Sequence, residues 1–250
     1  MDAGNGNGAG EELWVCELGL VPYADALAIQ KLLRARRQSE RLPDMLLLLE
    51  HPPVYTRGRR SREAELPLGE EFYRSQGIEV IVTDRGGRVT YHGPGQLVGY
   101  PIMRIDDIGS YLRAMEAAIV SALAQEGVRA RSRCSEGPDF TGVWVEERKI
   151  ASIGLHVSRG VSTHGFAVNV NNELEPFRWV VACGLPEVSM TSVAQELGPS
   201  RAVSPERFRG VMAERFCHAL GRERRLVSHA RLGIEGRAAG APAPQEAIPA

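Results

Sequence analysis

Apolar and polar positions recur with two different periods along this chain, and the period changes within the first fifty residues. LWVCELG at 13–19 reads as a strand. Over residues 23–36 the apolar positions Ala24, Leu27, Ala28, Leu32 and Ala35 recur at helical spacing. The short apolar run MLLLLE at 45–50 predicts a buried strand. IEVIVTD at 78–84 and QLVGYPI at 96–102 predict two more, with the turn-rich RGGRVTYHGPG between them. Residues 108–126 predict a helix with Ile108, Leu112, Met115, Ile119 and Leu123 on one face. GVWVEERKIASIGLHVS at 142–158 reads as a hairpin turning near Glu146, Glu147 and Arg148, and THGFAVNV at 163–170 as a further strand. Ser204 caps a last helix, with Pro205 at its first position and Gly221 just past its end. Hairpin-linked strands with a few long helices between them predict an α+β sheet rather than a doubly wound one.

The 250 residues are 43% hydrophobic and 24% charged, a globular composition long enough to bury one core without disulfides or metals. The head, residues 1–11, is rich in Gly and Asn, and the tail from 236 in Ala, Pro and Gly; both are expected to be disordered. We expect one catalytic domain over 12–226, followed by a tail over 227–250. A net charge of −1 points to neither nucleic acid nor an anionic membrane as partner. The N-terminal stretch has no basic and no apolar region, so no secretory signal is expected. Cys16, Cys134, Cys183 and Cys217 are scattered without zinc spacing, which fits a cytosolic protein with free thiols.

Three segments carry candidate chemistry. The first is Arg85-Gly86-Gly87-Arg88-Val89-Thr90-Tyr91-His92-Gly93-Pro94-Gly95-Gln96, which crowds glycines among side chains of several polar kinds. It reads either as a well-bonded turn or as a loop that lets backbone approach a ligand. Neither phosphate-binding glycine pattern, G-x-x-x-x-G-K-[ST] or G-x-G-x-x-G, is present there. The second is Arg148-Lys149-Ile150-Ala151-Ser152. Lys149 is one of only two lysines, with Lys31, among the 30 Lys and Arg of the chain. Unlike arginine, a lysine can give up its proton, but a solvated surface charge is the alternative. The third is Ala182-Cys183-Gly184-Leu185-Pro186. Here Cys183 follows an apolar run and precedes a tight turn, where it is either an exposed nucleophile at a strand end, with backbone N–H groups to hold an oxyanion, or a buried structural thiol. His51 and His164 lie at predicted element edges and are either pocket residues or structural histidines. The basic run Arg57, Arg59, Arg60, Arg62 is a solvated loop or a patch for an acidic partner.

Taken in order, PYADALAIQ, EHPPVYTRG, RGGRVTYHGPGQLVGYP, RKIASIGLHVSRGVSTHGFAVNV and ACGL with MTSV resemble the lipoyl(octanoyl) transferases, the octanoyl-[acyl-carrier-protein]:protein N-octanoyltransferases. The resemblance covers most of the expected domain, and RGG-x-x-TYHGPGQ-x-V-x-YP is its most specific part. It implies a single α+β domain, a mixed β-sheet flanked by helices as in biotin and lipoate ligases. It also implies that Cys183 accepts the acyl group and that Lys149 works with it. Arg85, Gly86, Gly87, Arg88, Val89, Thr90, Tyr91 and His92 would line one wall of the acyl pocket. Ser152, Ile153 and Gly154 would form a second wall, and Gly165, Phe166 and Ala167 a third, with His51, His92 and His164 near the site. No metal and no cofactor are implied. The implied donor is octanoyl-acyl carrier protein, and the implied acceptors are lipoyl domains of 2-oxoacid dehydrogenase complexes and the glycine cleavage H protein, in the cytoplasm, as the first step of endogenous protein lipoylation. The chain departs from the family pattern at Ala182, where proline is common, and at Val188-Ser189-Met190. The competing readings are an ATP-dependent lipoate- or biotin-type ligase, an amidotransferase between lipoyl domains, and a non-catalytic acyl-binding protein.

Overall fold

A computed structural model of the protein describes residues 11–185 and 188–235. Its centre is an eight-stranded mixed sheet. The strands are β1 (Glu12–Leu20), β2 (Met45–Glu50), β6 (Gln96–Ile102), β7 (Arg131–Ser132), β8 (Gly142–Val145), β9 (Arg148–Ser158), β10 (Val161–Asn169) and β11 (Glu223–Leu226), in the order β11-β1-β2-β6-β10-β9-β8-β7. β1 runs parallel to both β2 and β11, and every other pairing in this sheet is antiparallel. A second sheet of three short strands, β3 (Val54–Arg57), β4 (Glu79–Val82) and β5 (Val89–His92), has the order β4-β3-β5.

Helices cover both faces of the large sheet. Met45, Leu47 and Leu49 pack on the side of α1 (Tyr23–Gln38), while Leu46 and Leu48 pack on the side of α3 (Ile108–Gln125) and α5 (Pro205–Ala219). Burial on both faces explains why β2 is continuously apolar rather than alternating. Each of these leucines contributes roughly 1.5–3 kcal/mol by leaving water. α3 and α5 each begin on a side-chain cap: Asp107 accepts from the Ser110 N–H and Ser204 from the Arg207 N–H.

Several expectations change. The buried stripe of α1 is Tyr23, Ala26, Ile29, Gln30 and Leu33, not the alanine-rich set. The core face is rotated, so that Ala26 and Ile29 are buried while Leu27 and Leu32 stay partly exposed, and the buried Gln30 has its Oε1 accept the His164 backbone N–H at 2.7 Å. On α3, Met115, Ile119 and Leu123 are buried as expected, but Ile108 is 50% exposed and turns with Leu112 to the mouth of a cleft. VTYH, within the predicted turn, is a strand, and Val54–Arg57 is its unforeseen partner. The run before Cys183 is not a strand but a succession of 3-10 turns, Glu175–Trp179 and Ala182–Gly184. The chain also stays packed beyond Leu226. A short helix α6 (His229–Leu232) follows, and Leu232 and Ile234 join the core on the α1 side. Residues 1–10 and 236–250, expected to be disordered, lie outside the described residues.

Candidate active site

Lys149 is brought inward by an irregularity of the hairpin. Trp144 pairs with Lys149 but Val143 pairs with Ala151, so β9 carries one extra residue, Ile150. Ile150 and Ala151 consequently both enter the core beneath the sheet, while Lys149 and Ser152 both open on a cleft above it. Lys149 is 2% exposed, and its Nζ lies 5.1 Å from the centroid of the Trp144 ring. Its stem passes over Gly142, whose φ of +132° is open to glycine. A Cβ at 142 would overlap the Ala151 carbonyl and come within 2.8 Å of Lys149 Cε. The Gly142 N–H donates to the buried carboxylate of Glu116 at 2.9 Å, and Ser132 donates to the other oxygen at 2.6 Å.

Cys183 comes from the segment that crosses from the small sheet to the large one. On the small-sheet side, Phe177, Val180 and Ala182 pack with Tyr55, Tyr73, Val89 and Tyr91. Tyr55 donates to the Pro176 carbonyl at 2.6 Å and Tyr73 to that of Trp179 at 3.0 Å. On the large-sheet side, the Lys149 N–H donates to Ser189 O at 3.0 Å, and the Thr191 N–H to Lys149 O at 3.0 Å. The divergent 188–190 stretch is thus the direct backbone partner of Lys149. Between these anchors Cys183 adopts φ +57°, and its Sγ lies 3.8 Å from Ser152 Oγ. Two of the backbone N–H groups next to Cys183 are already bonded: that of Gly184 to Val181 O at 3.2 Å and that of Leu185 to Ala182 O at 3.1 Å.

Arg85 forms the opposite wall. Its guanidinium donates to the Thr56 hydroxyl and carbonyl and to the Gly86 and Arg88 carbonyls at 2.6–3.1 Å. It has no carboxylate partner among the described residues. Burial lowers its pKa from the usual arginine value, opposed by Tyr23, Cys183 and Tyr100 around it. A fixed cation in this position favours negative charge in the cleft.

The three expected histidines are held neutral. His51 lies against the Val21 carbonyl through Nδ1 at 2.6 Å, so its Nε2 accepts from the Tyr100 hydroxyl at 2.7 Å. His164 donates Nε2–H to Asp84 at 2.8 Å, which leaves Nδ1 to accept from Tyr23 at 3.4 Å. His92 donates Nδ1–H to Gln96 at 2.7 Å and turns Nε2 to Thr56 at 3.4 Å. Burial pushes His51 and His164 down to about 4, in the second case against the pull of Asp84, and His92 well below its usual value. The close His164–Asp84 contact is therefore a neutral-donor hydrogen bond at pH 7 rather than an ion pair. Tyr23 and Tyr100 are raised by the same burial, Tyr23 to about 12. Among the described residues no three His, Cys, Asp or Glu side chains are disposed to hold a metal ion.

These elements enclose a cleft of about 290 Å³. It brings together Cys183, Lys149, Arg85, Gly86, Gly87, Arg88, Thr90, His92, Ser152, Ile153, Gly154, His164, Gly165, Phe166 and Ala167. Val89 and Tyr91 do not line it. Strand alternation turns them into the apolar cluster of the small sheet while Thr90 and His92 face the cleft. His51 stands behind the wall, reaching it through Tyr100. Tyr23, Tyr100, Ile108, Leu112, Arg60 and Asp139 also line it and were not foreseen from the sequence. The one available signal was the Ile108–Leu112 spacing, which reads equally as core. Four cations, Arg60, Arg85, Arg88 and Lys149, face a single carboxylate, Asp139, among the described lining residues.

Fold and cleft together give a mixed sheet flanked by helices with one mostly apolar-walled pocket on which a thiol and a buried amine both open. A family described as "Lipoyl protein ligase A/B catalytic domain" matches residues 22–217. An octanoyltransferase of Rubrobacter xylanophilus is 50% identical over 184 residues, 72% of this chain and 81% of that protein. One of Solibacter usitatus is 48% identical over 183 residues, 71% of this chain and 81% of that protein. Among solved structures, the putative lipoate protein ligase Ta0514 of T. acidophilum with bound lipoic acid superposes with a TM-score of 0.69 at 19% identity, covering 91% of this chain and 93% of that one. A lipoate-protein ligase A bound with ATP gives 0.67 at 19% identity, covering 92% of each chain. The chain belongs to the lipoyl protein ligase A/B catalytic-domain family and, within it, to the octanoyltransferases. The expected mixed sheet flanked by helices is the lipoate-ligase fold.

Proposed function

We propose that this octanoyltransferase moves an octanoyl group from octanoyl-acyl carrier protein to the lysine amine of lipoyl domains, by way of a thioester on Cys183. The observation that carries the reading is the convergence of Cys183 and Lys149, which lie on separate segments, on one mostly apolar cleft whose charged lining residues are four cations and one carboxylate.

The Cys183 thiolate attacks the donor's thioester carbonyl. The carrier's thiolate leaves and takes the proton of the Lys149 ammonium, so octanoyl remains on sulfur and Lys149 is left as a neutral amine for the next step. An unassisted thiol is mostly protonated at pH 7, so the ammonium of Lys149 and the guanidinium of Arg85 favour the anion that attacks. The acceptor's amine then adds to the acyl-enzyme and the Cys183–acyl bond breaks, leaving an amide. Lys149 carries the proton between amine and sulfur, which arginine cannot do. The first step exchanges one thioester for another and is near balance; the second is downhill, so no nucleotide is required.

The octanoyl chain would run along Gly86, Gly154, Phe166 and Ala167, where each buried methylene contributes about 0.8 kcal/mol. The polar Tyr23–Tyr100–His164 group borders the same space and opposes further methylenes (a length limit on the chain). His51 and His164 support the wall and hold Tyr100 and Tyr23 in orientation. The acceptors in this reading are the lipoyl domains of 2-oxoacid dehydrogenase complexes and the glycine cleavage H protein. The compartment is the cytoplasm, where free thiols persist. Among the described residues no helix is long and apolar enough to cross a membrane.

The test is a product assay with a purified lipoyl domain. Octanoyl-carrier protein should give the octanoylated domain without ATP. Product formed from free octanoate only when ATP is present would instead indicate a ligase.

A further inference from the structure

We propose that Glu65 is a positioning residue for Cys183, holding the Arg88 guanidinium against Gly184 and so fixing the turn that presents the thiol. This rests on the reading of Cys183 as the acyl-accepting group.

Glu65 ends the 3-10 turn Glu63–Glu65 beside the small sheet, and its side chain is 6% exposed. Three bonds converge on it. Its carbonyl accepts the Val181 N–H at 2.9 Å. Its Oε1 accepts Arg88 Nη1 at 2.7 Å, and its Oε2 accepts the Val89 N–H at 3.4 Å. One residue therefore ties the start of β5 to a point two residues before the nucleophile.

Arg88 completes the connection. A Cβ on Gly184 would overlap Arg88 Cδ and Nε and lie within 2.9 Å of Cζ, so the arginine stem rests on the bare α-carbon of Gly184. Its only other carboxylate neighbour among the described residues is Asp139, at 3.8 Å and more exposed. Cys183 and Gly184 are consecutive left-handed residues, with φ +57° and +70°. That region costs a cysteine energy, and it persists only where the surroundings over-determine it. The bonds inside the turn, Gly184 N–H to Val181 O and Leu185 N–H to Ala182 O, travel with the segment and cannot fix its position. Among the described residues, the contacts that reach it from outside include the Glu65 carbonyl on the Val181 N–H, Ser152 Oγ at 3.8 Å from Cys183 Sγ, and the Arg88 stem packed on Gly184. A buried ion pair adds little net stability. Conformational selection of the thiol-bearing turn is a better account of this one.

The experiment follows acylation of the full chain by octanoyl-carrier protein with rapid quench and intact mass, for the parent, E65A, E65Q, R88A and E65A/R88A. E65A should slow acylation on the order of 10- to 100-fold, as expected for a displaced nucleophile. E65Q keeps an acceptor oxygen for Arg88 and should recover to within about threefold of the parent. E65A/R88A should be no slower than the slower single variant, because both changes break one connection. If E65A does not fold, R88A alone reads the same connection, and acylation of R88A at the parent rate would overturn the inference. Acylation of E65A at the parent rate, or effects of E65A and R88A that multiply in full, would overturn the inference. Loss of the octanoyl mass increment in Cys183→Ser in the same assay reports separately on the underlying reading.

Discussion

Lys149 and Ser152 face the same cleft although they stand three residues apart on one strand. In a regular strand an odd separation sends two side chains to opposite faces. The extra residue Ile150 reverses that parity, and Cys183 lies against Ser152 on the resulting face. Gly142 makes room for the arrangement. Gly142→Ala would place a methyl against Lys149 Cε and strain a φ of +132°. We expect a loss of about 1–3 kcal/mol of stability and a fall in amide formation on the order of 10- to 100-fold. Thermal melts and single-turnover transfer to a lipoyl domain measure the two. A variant that transfers at the parent rate would show that Lys149 does not need this path.

Lys149→Arg separates the two proposed jobs of the lysine. Arginine keeps the positive charge beside Cys183 but cannot give up its proton. Acyl-enzyme should still form, at a reduced rate, while amide product should nearly vanish. Intact mass and product chromatography on the same time course check both. Undiminished amide formation would remove Lys149 from the proton path.

The neutral histidines make stability sensitive to acid. His51 and His164 are depressed to about 4 in the folded protein and His92 well below its usual value, in each case by burial. In the unfolded chain each titrates near 6.5. Below 6.5 the unfolded chain binds protons that the native one refuses. The stability contributed by the neutral rings is therefore full above pH 6.5 and declines down to about pH 4. His51 and His164 each account for up to about 3 kcal/mol, and the pair for less than the sum, with His92 acting in the same direction. Denaturant titrations should show stability falling steadily across that window. His164→Gln should flatten the slope, and an unchanged slope would remove His164 from the account.

Much of the large sheet was legible because its strands and α3 bury residues at clear periods. β2 is a single apolar run, and Met115, Ile119 and Leu123 keep strict helical spacing. The face of α1 was misjudged because its alanines are spaced as well as its larger residues, and nothing local says that Gln30 is wanted inside for His164. β3 and β5 are four residues each, and their pairing joins segments separated by α2 (Gly69–Ser75) and β4. No window of sequence contains it. The identities of Cys183 and Lys149 as candidates were visible, but the bulge at Ile150 and the packing of 174–185 on the small sheet and of 188–191 beside Lys149 are tertiary facts. Val89 and Tyr91 were assigned to the cleft with their neighbours because a contiguous motif does not show which of its residues alternate inward.

The basic loop after β3 gives a kinetic expectation. Arg59 and Arg62 are exposed, whereas Arg60 is paired with Asp139 at 3.2 Å and lines the cleft. Arg59→Gln/Arg62→Gln should slow acylation by an acidic carrier protein several-fold at low salt and weaken its salt dependence. Acylation by a small octanoyl thioester should not change. Equal slowing with both donors would assign these arginines to the pocket instead of to docking.

The central claim is that Cys183 holds the acyl group. The protein should be mixed with octanoyl-carrier protein in the absence of acceptor, quenched, and digested for mass spectrometry. One octanoyl group should be found on the Cys183 peptide, should disappear when a lipoyl domain is added, and should be absent from Cys183→Ser. Octanoylation of Cys16, Cys134 or Cys217 instead, or amide product from Cys183→Ser at the parent rate, would contradict it.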